Sequence, residues 1–132
     1  MFWLILVTIS LSFNIYATDS KDVAKYKSYV AYKQAMAEYN KKNYEKSMEY
    51  TKNSLDLYVS NKKSKELMLK LKEIGEEYYK TGISLEHFNK ELAVDYLKKA
   101  KILLNQSDKK TKKKISDALT ELQADEQTET EQ

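Results

Sequence analysis

The spacing of residues around a short polar link near position 40 limits the fold more than any other feature of this sequence. After the link, residues suited to burial recur every three or four positions, which places them on one face of an α-helix. These residues are Tyr44, Met48, Thr51, Leu55 and Tyr58. Before the link, Tyr39 ends another helical pattern, and only residues 40–42 separate the two helices. So short a connection predicts an antiparallel helical hairpin.

A second and looser copy of this pattern lies between residues 74 and 100. Its members are Ile74, Gly75, Tyr78, Tyr79, Gly82, Ala93, Tyr96, Leu97 and Ala100. Small residues occupy the positions at which paired helices must approach closely. They are Ala35, Ser47 and Ser54 in the first copy and Gly75, Ala93 and Ala100 in the second. Two copies of a helical hairpin indicate a helical repeat.

The pattern resembles the tetratricopeptide repeat (TPR) over roughly residues 29 to 104. The resemblance implies an all-α fold in which about two degenerate repeats stack as a short solenoid of antiparallel hairpins, with about five helices in all. Two features depart from the family. The second copy carries about six extra residues around positions 83–88. The family's helix-ending proline is also missing, because the chain contains no proline.

Little in the chain interrupts helices, since it has two glycines and no proline. The periodicity predicts helices over residues 21–40, 44–59, 63–80, 84–104 and 111–123. Ser60 and Asn61 are expected to provide the break before the third helix and its cap, and Ser84 the cap of the fourth, with Gly82 just beyond the end of the third. The apolar face predicted for the fourth helix includes Leu85, Phe88, Leu92, Ala93, Leu97, Ala100 and Leu104.

Three segments are predicted along the chain. Residues 1–17 form a signal peptide or membrane anchor, residues 18–123 a TPR-like helical domain, and residues 124–132 an acidic disordered tail. The run of residues 2–13 carries no charge, and Ala17 offers a cleavage position before Thr18. The tail holds too few apolar groups to offset the entropy of ordering.

The N-terminal segment leaves two locations open. Cleavage before Thr18 would give an exported protein, either periplasmic or otherwise envelope-associated. The apolar run is shorter than the roughly 20 residues of a membrane-spanning helix, and no lysine precedes it. Without cleavage, the protein would be anchored in the inner membrane through residues 1–17. The lysines that follow the run would then hold the body in the cytoplasm.

The composition excludes several kinds of site. Cysteine is absent, so thiol nucleophiles, thiolate metal ligands and disulfides are excluded. All 23 basic residues are lysines, which lack the bidentate geometry with which arginine reads bases, so specific nucleic-acid recognition is not expected. Up to Lys114 the chain has 23 lysines and 14 carboxylates, whereas residues 115–132 have six carboxylates and no lysine. A general association of the lysine-rich surface with anionic lipid or polyanions is left open.

Candidate catalytic residues are scarce. His87 has Glu86 beside it and Glu91 four residues on, which we interpret as a surface pair, because a catalytic zinc site normally needs three protein ligands. Gly75 and Gly82 are the only glycines, so a glycine-rich phosphate loop is excluded. We therefore expect no enzyme activity, no metal and no cofactor.

Tyrosine is abundant in the first half of the chain, where seven of the 11 tyrosines lie between Tyr26 and Tyr58. Alignment on the TPR resemblance places two sets of residues in the concave groove where this family commonly holds its ligands. The sets are Tyr29, Tyr32, Met36 and Tyr39 of the first helix and Leu69, Lys72, Glu76 and Tyr79 of the third. In an alternative alignment, shifted by one residue, the positions that pack in the core are Tyr32, Ala35, Met36 and Tyr39. A neighbouring stripe consists of Val23, Tyr26, Val30 and Ala37, so that one stripe can pack inward while the other faces out.

These features predict a non-enzymatic protein–protein interaction module that acts as an adaptor or assembly factor. Its partner would be an envelope protein, or a peptide segment of one, bound in the tyrosine-lined groove. Repeat arrays generally need about three stacked units, so an open end could instead bind a second copy. The alternative is therefore a self-associating structural subunit of an envelope complex, a homo-oligomer.

Overall fold

The computed structural model describes residues 20–130, which form five helices. They are α1 (Ser20–Asn40), α2 (Tyr44–Leu57), α3 (Lys62–Leu85), α4 (Lys90–Leu103) and α5 (Lys109–Thr130). Residues 20–130 contain no strand, so the predicted all-α class is confirmed. The predicted signal or anchor segment, residues 1–17, lies outside the described residues, as do residues 131 and 132 at the end of the tail.

The link between α1 and α2 reverses the chain through a left-handed residue. Lys42 has φ 62°. Its N–H donates to the carbonyl of Tyr39 at 2.9 Å, and the N–H of Asn43 donates to the carbonyl of Glu38 at 2.9 Å. These two hydrogen bonds form the Schellman motif that ends many helices. Both helices begin and end within about two residues of their predicted limits.

Short polar side chains cap the next three helices. Asn61 Oδ1 accepts from the N–H of Ser64 at 3.2 Å, as the sequence predicts for the start of α3. Asn89 Oδ1 accepts from the N–H of Leu92 at 3.0 Å at the start of α4. Asp108 Oδ1 accepts from an N–H in the first turn of α5 at 2.7 Å. Each cap satisfies one of the N–H groups that a helix leaves unpaired at its start.

The boundary between α3 and α4 differs from the prediction. Helix α3 continues to Leu85, so Gly82 lies inside it and Ser84 is not the cap of α4. The reason is tertiary, because Gly82 packs directly against Leu97 and the helix need not end there. Phe88 lies in the loop before α4 with 87% of its surface exposed, so its predicted place on a buried face was wrong.

Helix α5 also extends further than predicted. It continues to Thr130, so the described part of the acidic tail is helical where the sequence predicts disorder. No glycine or proline follows Leu122 to end the helix. Asp125 Oδ2 lies 4.0 Å from Lys90 Nζ, so this residue of α5 lies beside the start of α4.

The helices pack as two hairpins and a final helix. Helix α1 packs chiefly on α2, α3 chiefly on α4, and α5 on α4, a helical-repeat-like arrangement. One cluster of buried residues joins the first hairpin to the second: Ala35, Met48, Leu67, Leu71 and Leu103. The other joins α4 to α5: Ala93, Val94, Leu97, Ala100, Leu104, Ile115, Ala118, Leu119 and Leu122. Within residues 20–130, none of the helices is both long and apolar enough to span a membrane.

Candidate functional site

The eight residues predicted to line the groove do not share one surface. Tyr32, Met36 and Tyr39 are half-buried against the first core cluster. Tyr79 is half-buried against the second cluster. These four side chains therefore contribute to packing between helices, as the alternative alignment predicts for those on α1.

The other predicted residues face outward to different degrees. Tyr29 and Leu69 are among the exposed large apolar residues, and Leu69 has 61% of its surface exposed. Glu76 is exposed and Lys72 is half-buried. The predicted set is thus divided between the core and the surface.

Small residues decide which stripe of α1 faces inward. The buried residues of α1 are Ser28, Ala31 and Ala35, which allow α2 to approach closely. The opposite face carries the neighbouring stripe, which is exposed along its length. Its members are Val23, Tyr26, Val30 and Ala37. Of the two stripes on α1, this one faces out.

A groove between α1 and α3 is the candidate binding site. It is open to solvent and has a volume of about 590 Å³, and we call it the α1–α3 groove. Tyr39 of α1 and Ile74 and Tyr78 of α3 supply its apolar lining. Charged side chains of α3 complete it: Lys70, Glu73, Glu76 and Glu77. Only Tyr39 and Glu76 belong to the predicted set.

The charge of the groove is negative, because three carboxylates face one lysine. Glu77 also pairs with Lys80, whose Nζ lies 3.3 Å from its Oε1. Glu73 and Glu76 are exposed beside the apolar lining. An apolar surface with adjacent carboxylates is complementary to a segment that carries both an apolar and a cationic side chain.

A row of four tyrosines borders the groove, with one ring from each of α1 to α4. The ring centroids of Tyr39 and Tyr44 are 5.5 Å apart, and those of Tyr44 and Tyr78 are 6.5 Å apart. The row ends with Tyr78 and Tyr96 at 5.7 Å. Such tilted and edge-on contacts are favoured by the charge distribution of aromatic rings. The row therefore joins the two hairpins and fixes the position of Tyr78 in the groove.

Tyr78 keeps its proton more firmly than an ordinary tyrosine. Burial raises its pKa above the usual 10.0, and the neighbouring Tyr44, Tyr96 and Glu45 raise the pKa further. Lys99 Nζ lies 5.9 Å from the centre of the same ring. A neutral hydroxyl in the groove can both donate and accept a hydrogen bond.

At the other end of the contact between α1 and α3, a lysine covers two tyrosine rings. Lys63 Nζ lies 5.6 Å from the ring centre of Tyr29 and 5.9 Å from that of Tyr32. These cation–π contacts hold the start of α3 against the middle of α1. The part of the α1–α3 contact that stays open to solvent is therefore at Tyr39, where the α1–α3 groove lies.

The sequence contained a signal for the residues that were missed. Positions 70, 73, 74 and 77 are spaced by three and four, so they share one face of α3. Sequence alone did not indicate that this face would lie opposite Tyr39. Among the side chains that the structure describes, no three of His, Asp or Glu gather as a metal ion would require.

Comparison with known proteins adds no family or relative. No protein-family model, no curated protein and no solved structure matches the chain. The geometry of the α1–α3 groove is therefore the basis for a functional assignment.

Proposed function

We propose that this protein is a non-enzymatic protein–protein interaction module that binds a partner segment in the α1–α3 groove. The observation that carries the proposal is the meeting of an apolar lining with exposed carboxylates in one groove of about 590 Å³. Tyr39 and Tyr78 supply large apolar surfaces whose hydroxyls still form hydrogen bonds at a wet rim. This combination is typical of protein recognition surfaces.

The partner segment is expected to carry an apolar or aromatic side chain next to a lysine or arginine. The apolar side chain would lie on Tyr39, Ile74 and Tyr78. The cation would face Glu73 and Glu76, both exposed. Exposed ion pairs contribute less to affinity than to orientation and association rate, so most of the binding free energy would come from the apolar contact.

The proposed architecture is a short TPR-like solenoid. In its support, the small residues assigned to equivalent repeat positions are buried in both hairpins. They are Ala35, Ser47 and Ser54 in the first and Gly75, Ala93 and Ala100 in the second. The apolar residues of α5 that are buried against α4 suit a capping helix, whose outer face is polar.

We further propose that the protein is exported and serves as an adaptor or assembly factor for an envelope protein. The uncharged run of residues 2–13 supports this location. Mass spectrometry of the native protein tests it directly. A mature N-terminus at Thr18 would support export, whereas an intact Met1 in the membrane fraction would favour the anchored alternative.

Site-specific crosslinking tests the groove. A photoreactive residue in place of Leu69, which is exposed on α3 one helical turn before Glu73 of the groove lining, should crosslink one reproducible partner in cells. The same residue at Val59, which is 70% exposed in the link between α2 and α3, is the control position. Equal crosslinking of the same proteins from both positions would contradict the groove assignment.

Charge reversal makes the same test quantitative. Glu73→Lys combined with Glu76→Lys should lower the crosslink from Leu69 by about tenfold, because attraction of a cation becomes repulsion. Glu49→Lys combined with Asp56→Lys changes the net charge equally on α2, in a different depression. If the two double variants lose the crosslink to the same extent, the groove charge is not what selects the partner.

The second candidate is a self-associating structural subunit. The exposed stripe on α1 favours it, because a second copy could cover Val23, Tyr26 and Val30. Light scattering should then show a dimer or larger assembly that Tyr26→Ser weakens. A monomer at high concentration would rule this candidate out.

A further inference from the structure

We propose that a lysine-rich corner between α4 and α5 binds the anionic headgroups of a membrane surface. The corner comprises residues 98–114, which contain eight lysines and a single carboxylate, that of Asp108. All eight lysines are exposed. They are Lys98, Lys99, Lys101, Lys109, Lys110, Lys112, Lys113 and Lys114. We call this segment the lysine corner. Lys101 and Lys112 line one depression between α4 and α5, whereas Lys99 lies in another beside Glu45 and Tyr78.

The positive charge of the protein is concentrated at the lysine corner. Residues 1–97 contain 15 lysines and 13 carboxylates and are therefore nearly balanced. Residues 115–132 contain six carboxylates and no lysine. The corner is thus a local positive field between a balanced body and a negative end. A field of this kind draws the protein toward an anionic surface over distances of about a Debye length, roughly 8 Å at physiological salt.

The stability of α5 does not explain this arrangement. A helix is stabilised by carboxylates near its start and by cations near its end, because of its dipole. Helix α5 has no carboxylate in its first turn and no basic residue in its last. Side-chain charge at both ends therefore opposes the helix dipole. An anionic surface at the start of α5 would relieve the repulsion among the lysines there.

One residue at the corner offsets part of this repulsion. Asp108 accepts hydrogen bonds from Thr111, which lower the pKa of its carboxyl group, and Lys110 and Lys114 lower the pKa further. Lys113 Nζ lies 3.8 Å from Asp117 Oδ2. These contacts hold the first turns of α5 in place while the ammonium groups of the corner stay in contact with solvent.

A lipid surface fits the corner better than a single-stranded nucleic acid or a protein does. Single-stranded nucleic acids stack on open aromatic faces, but the nearby Tyr78 and Tyr96 are half-buried and Lys99 lies over both rings. Protein interfaces depend on clusters of apolar anchors, but Ile102 is the one large apolar residue of the corner that is exposed, and those of α5 are buried against α4. Lysines without arginine act as point charges, which suit a diffuse layer of phosphate groups.

The opposite charge at the far end of α5 would orient the bound protein. Asp125 follows Lys114 by 11 residues along α5, or about 17 Å, which is about two Debye lengths. An anionic surface attracts the start of α5 and repels its end. The helix would therefore point away from the membrane, with its acidic end in solution.

Sedimentation of the full chain with lipid vesicles tests the proposal. One set of vesicles is phosphatidylcholine alone, and the other contains about one third phosphatidylglycerol. The ratio of the two partition coefficients isolates the charge effect, because any insertion of the apolar residues 2–13 contributes to both. We expect a clear preference for the anionic vesicles that declines as salt is added. No preference would overturn the proposal.

Two variants of equal net charge locate the effect. In the first, the five lysines at the start of α5 become glutamine: Lys109, Lys110, Lys112, Lys113 and Lys114. In the control, five exposed lysines elsewhere become glutamine: Lys27, Lys41, Lys46, Lys62 and Lys65. A lysine near an anionic leaflet changes partition by about fivefold, so the first variant should lose at least about tenfold and the control less than about threefold.

Equal losses of partition to the anionic vesicles in the two variants would show that net charge alone draws the protein to them. That result would overturn the proposal. Stronger binding of the natural chain to duplex DNA than to anionic vesicles at equal salt would do the same. The crosslink from Leu69 is an independent readout of the α1–α3 groove. If the α5 lysine variant retains this crosslink, the lysine corner and the proposed partner site act independently.

Discussion

Buried hydroxyl groups join α1 to α2 in the first hairpin, whereas glycine and leucine bring α3 and α4 together in the second. Ser28 Oγ donates to the carbonyl of Ser54 at 2.7 Å, and Ser54 Oγ donates to the carbonyl of Ser28 at 2.8 Å. In the second hairpin, a Cβ built on Gly82 would lie 2.8 Å from Leu97 Cγ. Both hairpins therefore achieve close approach of two helices, by different chemistry.

The hydroxyl network of the first hairpin also reaches the second. Ser54 gives its only proton to the carbonyl of Ser28, so Ser64 at the start of α3 must be the donor in its contact with Ser54 Oγ. Asn61 Nδ2 donates to Ser28 Oγ at 2.9 Å, while its oxygen caps α3. Hydrogen bonds are directional, so this network specifies one register among α1, α2 and α3. The second hairpin depends instead on the shape of its apolar surface.

A cavity in the second hairpin should have the largest effect on stability. Leu97 is fully buried, so Leu97→Ala should lower the free energy of unfolding by about 2–5 kcal/mol. Denaturation followed by circular dichroism measures the loss. The control is Leu92→Ala on the same helix, where the side chain is 41% exposed and a loss below about 1 kcal/mol is expected. Similar losses in both variants would contradict the assignment of Leu97 to the core.

Removal of one hydroxyl from the first hairpin should have the next largest effect. Ser54→Ala removes the donor to the carbonyl of Ser28 and the acceptor for Ser64, and it should cost about 1–3 kcal/mol of unfolding free energy. Asn53→Ala, at the exposed neighbouring position, should change stability by less than about 0.5 kcal/mol. If Ser54→Ala lowers the free energy of unfolding no more than Asn53→Ala does, hydrogen bonds do not distinguish the first hairpin from the second.

A methyl group at Gly82 should have a smaller net effect, because two contributions oppose each other. Alanine favours a helix by about 1 kcal/mol relative to glycine, but overpacking against Leu97 costs about 1–3 kcal/mol. We expect a net loss of up to about 2 kcal/mol in Gly82→Ala. In a Leu97→Ala background the same substitution should become neutral or stabilising, since the obstructing side chain is gone. A loss of equal size in both backgrounds would mean that the close approach to Leu97 does not limit this position.

Alkaline pH should reveal the smallest effect, at the tyrosine row between the hairpins. The pKa of Tyr78 is raised above 10.0 in the folded protein, so its contribution to stability is complete below about pH 10 and is lost as the pH rises through the folded-state pKa. Thermal unfolding of the natural chain and of Tyr78→Phe, compared between about pH 8 and pH 12, measures this contribution. The natural chain should lose more stability than Tyr78→Phe above about pH 10. Parallel curves would show that Tyr78 ionises equally easily in the folded and unfolded states.

Local signals in the sequence determined the first two helices and the start of the third. Positions recurring every three or four residues placed α1 and α2 close to their observed limits, and Asn61 marked the start of α3. Small residues such as Ala35 and Ala100 marked where helices approach. These features depend on neighbours within a few turns, so they can be predicted without knowledge of the fold.

Tertiary contacts decided which surfaces were left for binding. The sequence offered two stripes on α1, and packing of Ala35 and Ser28 against α2 turned Tyr32 inward and Tyr26 outward. Gly82, which the sequence predicts just beyond the end of α3, lies inside that helix, because Leu97 packs there. The α1–α3 groove likewise exists only where Tyr39 meets a face of α3 more than thirty residues away in the chain. Helical periods are set by bonds within a few residues, whereas the choice of a buried face is set by the free energy of packing between distant segments.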